Sequence, residues 1–161
     1  MPANPHEFFR LDGLHRAEYL LRDFINTERS AHRRTLVLLH DCLPLNSRMA
    51  ERKPRPGDDS EGAYRDAWTG DVWRVLFALQ LRRPDLHLRF LDCPPTGLVA
   101  VSNLNPSSTT LRDGYLAAVQ EMTSLELDPE RMAALWGMHS FLNTTALAAA
   151  PEDLTAVLCC R

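Results

Sequence analysis

Apolar side chains at Leu14, Ala17, Leu20, Leu21, Phe24 and Ile25 alternate with charged Arg16, Glu18, Arg22 and Asp23. The 3.6-residue stripe predicts a helix from about Leu14 to Glu28. Thr35-Leu36-Val37-Leu38-Leu39 is a short unbroken apolar run, the pattern of a strand buried on both faces in a parallel sheet. It gives way to the polar His40-Asp41. A strand stub, Phe8–Leu11, precedes the first helix. Residues 43–67 hold Pro44, Pro54, Pro56, Gly57, Asp58, Asp59, Ser60 and Gly62, which prevent a long regular element and mark a lid or an insertion. Thr69 is expected to cap a second helix with Asp71 in its first turn. Its stripe is Val72, Val75, Leu76 and Leu79, and Pro84 stops it. Leu86–Leu91 alternates at period two, Pro94-Pro95-Thr96-Gly97 makes a turn, and Leu98–Val101 returns, which predicts an antiparallel hairpin at the sheet edge. Beyond Asn105-Pro106 the pattern is helical, with helices expected at 109–122, 129–141 and 151–159.

Composition narrows the class. The 161 residues are 45% hydrophobic and 24% charged, which excludes wholesale disorder, collagen-like repeats and coiled coil. A net charge of −3 argues against non-specific nucleic-acid binding. No apolar run approaches the ~20 residues that cross a bilayer. The first nine residues show neither a basic nor an apolar signal segment, so a cytoplasmic protein is expected. Cys42, Cys93, Cys159 and Cys160 include no Cys-x-x-Cys, so reduced thiols are expected rather than a disulfide framework or a thiolate zinc site.

The candidate chemistry gathers at two strand ends. Asp12-Gly13-Leu14-His15 follows the stub and His40-Asp41 follows the buried strand. Neighbouring parallel strands release their loops on one edge of an open α/β sheet, where ligands bind. If these strands are adjacent, Asp12, His15, His40 and Asp41 share a small volume and could hold a divalent cation or act as acid and base. The plainer alternatives are that Asp12 caps the helix after it and His40 satisfies backbone carbonyls. Trp68 and Trp73 flank Thr69-Gly70-Asp71 and either pack under the lid or form a substrate platform. Arg48, Arg52, Lys53 and Arg55 form a basic cluster, read as a solvated surface or an anion site. His139, beside Met138 and Phe141, reads as a core or interface residue, and Asp92 and Cys93 as turn-shaping. No P-loop, Gly-x-Ser-x-Gly or His-Glu-x-x-His occurs.

Leu11-Asp12-Gly13-Leu14-His15, Leu21-Arg22-Asp23-Phe24-Ile25-Asn26, Val37-Leu38-Leu39-His40-Asp41-Cys42-Leu43-Pro44, Trp68-Thr69-Gly70-Asp71-Val72-Trp73 and Asp92-Cys93-Pro94-Pro95-Thr96-Gly97-Leu98 together resemble the second half of class I S-adenosylmethionine-dependent methyltransferases of the small-molecule branch. The resemblance covers roughly residues 7–105. It implies an α/β fold, a partial Rossmann-like sheet of strands four to seven. Phe8–Leu11 would be strand four and Thr35–Leu39 strand five, and the seventh would run antiparallel between the fifth and sixth. Residues 1–105 would form this half-domain and 106–161 a helical tail packed on it. The resemblance further implies S-adenosylmethionine as methyl donor and a small-molecule hydroxyl as acceptor. Magnesium would be held by Asp12, His40 and Asp41, His15 and Asp41 would be the catalytic groups, and Trp68 and Trp73 would lie against substrate. Histidine is not a favoured magnesium ligand.

The sequence departs from that family where the cofactor binds. Only eleven residues precede Asp12 and no glycine-rich turn lies among them, while Arg10 interrupts what would be a buried central strand. The chain reads as a carboxyl-terminal half, either inactive alone or completed by a partner chain. The alternatives are a non-enzymatic module that dimerises through an open sheet edge and a small metal-dependent hydrolase.

Overall fold

The computed structural model describes residues 7–54, 64, 67–137 and 139–149. It is a mixed α/β fold built on an open five-stranded sheet. The elements in chain order are β1 (Glu7–Leu11), α1 (Ala17–Glu28), β2 (Thr35–His40), α2 (Arg74–Arg82), β3 (His87–Leu91), β4 (Leu98–Ser102), α3 (Thr110–Asp113), α4 (Tyr115–Ser124), α5 (Pro129–Gly137), β5 (Phe141–Leu142) and α6 (Thr144–Ala149). The strand order is β1-β2-β4-β3-β5. β1 runs parallel to β2, with Leu11 opposite Leu39. β4 is antiparallel to both β2 and β3, and β5 adds parallel to β3.

Alternation along the strands divides the apolar residues between the two faces of the sheet. Val37, Leu39, Phe90, Val99 and Val101 face the main core, which Leu20, Leu21 and Phe24 of α1 and Val75, Leu76 and Leu79 of α2 complete. Leu36, Leu91 and Ala100 face the other side, packed with Leu38, Leu98, Leu142 and Leu147. β2 is buried on both faces, as its apolar run predicts, with Leu36, Val37 and Leu39 fully enclosed. Leu111, Ala118, Met122 and Leu135 belong to the main core, and Trp136 Nε1 donates to the Pro44 carbonyl at 3.0 Å. Residues 110–137 are therefore sewn into the same core as the sheet.

Several predicted boundaries move. α1 starts at Ala17 rather than Leu14, because His15 has φ +53°, a left-handed conformation that no right-handed helix contains; Leu14 is exposed. Thr69 does not cap the second helix: its hydroxyl donates to the Met49 carbonyl at 2.9 Å, and α2 begins only at Arg74. The helix expected at 109–122 is broken at Gly114 into α3 and α4. The one expected at 129–141 ends at Gly137, and Phe141–Leu142 instead pair with Phe90–Leu91. The tail is thus not wholly helical, and β5 covers the outer side of the hairpin that was expected to end the sheet. The helix expected at 151–159 lies outside the described residues. Arg10 disrupts no buried run, because β1 is the end strand of the described sheet and the Arg10 side chain is exposed and paired with Asp12.

Candidate functional site

β1 and β2 are parallel neighbours in register, so their carboxyl ends deliver Asp12 and His40 side by side. Asp41 follows at φ +59° and His15 at +53°. These two left-handed residues turn the chain back toward the sheet edge, and Asp and His are among the residues that adopt that conformation most readily. The result is the shared volume expected from the strand ends. His15 Nε2 lies 3.7 Å from Asp12 Oδ1 and 3.4 Å from Asp41 Oδ2. His40 Nδ1 lies 2.8 Å from Asp41 Oδ2 and 3.8 Å from Asp12 Oδ1. One ligand atom each from Asp12, His15 and Asp41 falls within 4.8 Å of the other two. With Leu11, Gly13, Leu14, Arg16, Leu20 and Val72, these four residues line a shallow concavity open to solvent.

Each functional group has a neighbour that fixes it. His15 Nδ1 is 2.8 Å from the Trp68 carbonyl oxygen. A carbonyl only accepts, so Nδ1 carries the proton and Nε2 is the nitrogen presented to the carboxylates. The imidazole also stacks on the Trp68 ring at 4.9 Å between centroids. Trp68 Nε1 in turn donates to the Glu51 carbonyl at 2.6 Å, which holds the early part of the 43–67 segment against the site. Asp41 is nearly buried, and its Oδ1 accepts a 2.7 Å bond from Thr96 Oγ1, leaving Oδ2 to face both imidazoles. His40 Nδ1 is buried and has no aligned hydrogen bond among the described residues, although Asp41 Oδ2 is near enough in distance. The angle, not the separation, excludes the bond, so this nitrogen remains unsatisfied.

The capping role considered for Asp12 belongs to another residue. Asp71, 1% exposed, accepts from the Ala17 N–H at 2.9 Å and so caps α1 from far along the chain. The same carboxylate accepts from Arg52 at 2.8 Å and Arg74 at 3.1 Å. Arg52 also forks onto Glu18 and holds its carboxyl below the usual carboxylate range. With Asp71 at the helix start, Asp12 does not cap α1: its Oδ2 accepts from Arg10 and its Oδ1 faces the two imidazoles.

The remaining candidates separate. Trp68 touches the site through His15. Trp73 does not: it is 1% exposed and stands edge-on to Phe77 in the core. Arg52 is committed to Glu18 and Asp71, and Arg55 lies outside the described residues. His139 stacks on Phe90 at 3.6 Å between centroids, a packing role as expected. Asp92 does more than shape a turn, since it accepts from both the N–H and the hydroxyl of Thr144 at the start of α6. Cys42 is buried, and desolvation together with the Asp41 charge pushes its thiol far up, which makes it inert. Sequence reasoning missed Thr96 and the remote cap Asp71; the turn sequence Pro-Pro-Thr-Gly marked the first only as a bend.

Comparison with known proteins adds no further constraint: no family model, no curated protein and no solved structure matches the chain.

Proposed function

We propose that the chain is the acceptor-binding lobe of a class I S-adenosylmethionine-dependent methyltransferase acting on a small-molecule hydroxyl. The observation that carries this reading is the strand order. β1 and β2 are parallel, and the second hairpin strand, β4, inserts antiparallel between β2 and β3 instead of adding outside β3. A short hairpin more simply extends a sheet outward. Folding its second strand back into the interior is the arrangement that the sequence resemblance implies for the last four strands of that family. The Asp and His side chains sit at the carboxyl ends of β1 and β2, the edge at which open α/β sheets take ligands.

The described residues alone do not fit S-adenosylmethionine. The concavity is shallow and open to solvent, unlike the pockets that bury most of a ligand of that size, and Gly13 is the one glycine lining it. In this reading the cofactor cradle comes from chain outside these residues, as an amino-terminal extension or a partner chain, with its strands pairing along β1 at the end of the sheet. The residues here supply the acceptor side. Asp12 and Asp41 orient the hydroxyl, and His40, with its unsatisfied Nδ1 beside Asp41, is placed to take the proton. A cation bound there would lower the hydroxyl's pKa and fix its direction.

Labelled S-adenosylmethionine binding and methyl transfer to small hydroxylated acceptors test the reading, on the chain alone and joined to a cofactor-binding half. The chain alone should bind weakly or not at all. The joined protein should bind the cofactor and transfer methyl groups, with transfer lost in Asp41→Asn. A joined protein that unfolds cooperatively yet binds no cofactor would overturn the proposal.

A further inference from the structure

We infer that Asp12, His15 and Asp41 form a site for a first-row transition ion such as Mn(II), Co(II) or Zn(II), with His15 Nε2 as a ligand, and not a magnesium site. The inference rests on the preceding reading only in taking this sheet edge as the functional one. The resemblance implies magnesium on Asp12, His40 and Asp41. The structure brings His15 rather than His40 into the set with the two carboxylates; either way one donor is an imidazole nitrogen, and magnesium is a poor match for nitrogen.

Three observations converge on His15. In the neutral ring its tautomer is fixed, because Nδ1–H donates to the Trp68 carbonyl and leaves an Nε2 lone pair. A histidine that ligates a metal through one nitrogen characteristically donates through the other to a carbonyl or carboxylate, which sets its orientation. Nε2 then faces Asp41 Oδ2 at 3.4 Å and Asp12 Oδ1 at 3.7 Å. Atoms ~2.1 Å from a common ion at tetrahedral angles are about 3.4 Å apart, so the two imidazole–carboxylate spacings need at most a few tenths of an ångström of closure, while all three ligand atoms lie within 4.8 Å of one another. Finally, the Thr96 bond occupies Asp41 Oδ1 and leaves Oδ2 as the oxygen offered to the ion. His40 Nδ1 lies beside this set without an aligned hydrogen bond and outside the three ligands.

Nitrogen and oxygen sites bind later first-row ions more tightly in any case, so the test must read the effect of the donor itself. Titration calorimetry of the full chain with Co(II) and with Mg(II) alone gives the affinity ratio in the wild type. His15→Asp keeps a residue that accepts the left-handed backbone but exchanges nitrogen for oxygen. His32→Ala removes an exposed histidine near Glu7 and serves as control. The expected result is Co(II) at least tenfold tighter than Mg(II), a ratio reduced at least tenfold by His15→Asp and unchanged by His32→Ala. The visible absorption of bound Co(II) should shift in His15→Asp. An unchanged ratio and spectrum in a variant that still melts cooperatively would overturn the inference, as would tighter Mg(II) binding by the wild type. If His15→Asp fails to fold, His15→Asn, which also accepts that backbone, should lower Co(II) affinity at least tenfold, and unchanged affinity would overturn the inference. No ion binding at all by the wild type would also overturn it, while the methyltransferase reading would still be decided separately by cofactor binding to the joined protein.

Discussion

Thr96 Oγ1 donates a 2.7 Å hydrogen bond to Asp41 Oδ1, and both residues are buried. The bond ties the turn between β3 and β4 to the end of β2 and selects which carboxylate oxygen faces the imidazoles. Thr96→Val keeps the shape but leaves a buried carboxylate oxygen without its donor, a loss of about 1–3 kcal/mol. Ion affinity should fall roughly 10- to 100-fold, as when an outer partner of a ligand is removed. Thr96→Ser should restore most of both. Chemical denaturation and calorimetry on the three proteins check this, and equal ion affinity in Thr96→Val would show that the bond serves stability alone.

Gly70 sets how closely the 67–73 segment can approach the His15 loop. It has φ +61°, and a Cβ there would stand 1.9 Å from the His15 carbonyl oxygen, which also accepts the Asp71 N–H at 3.2 Å. Gly70→Ala should cost roughly 3 kcal/mol through backbone strain and displacement of the loop and should weaken ion binding. Gly13→Ala meets only Asp23 Oδ2, at 3.6 Å, and should change stability by less than about 0.5 kcal/mol. Similar destabilisation by the two substitutions would contradict the packing described.

The parts legible in the sequence are those governed by short-range pattern. The apolar run of β2, the stripe of α1 and the hairpin of β3 and β4 each lie within one segment, and so do the polar residues that end β1 and β2. What could not be read depends on contacts between distant segments. The Asp71–Ala17 cap spans 54 positions and the Thr96–Asp41 bond 55, and neither leaves a local signal. Phe141–Leu142 is a two-residue strand, too short for any periodicity, and exists because β3 offers an edge. The left-handed turn at His15 overrode an apolar stripe that otherwise continues back to Leu14.

Asp71 holds together the start of α1, the segment around Arg52 and the approach to α2. Asp71→Ala removes the acceptor for Ala17 and deprives Arg74 and Arg52 of a shared counter-charge. It should cost about 3 kcal/mol, near the low end for removing one partner of a buried ion pair, since Arg52 retains Glu18. Asp71→Asn keeps an acceptor for the N–H and should cost less. Urea unfolding of both variants measures the difference, and equal losses would mean that charge contributes nothing beyond the cap.

Stability should fall in two stages as the pH is lowered. Burial holds His139 below the ordinary imidazole range, so the unfolded chain takes up this proton first, near pH ~6.5. The folded state gains from a neutral His139 above that pH and loses the gain as pH falls toward its lower folded value. Glu18 and Asp85 are held below the carboxylate range by hydrogen bonds to Arg52 and Arg83. Their contributions are complete above the unfolded carboxylate values and disappear as pH falls through the depressed folded ones. His139→Phe preserves the stack on Phe90 while removing the proton, so the decline that begins near pH ~6.5 should flatten and the acid limb remain. Arg52→Gln should flatten part of the acid limb and leave the upper one. Midpoint temperatures followed by circular dichroism between about pH 3 and 8 distinguish the two, and an unchanged upper limb in His139→Phe would assign it to other histidines.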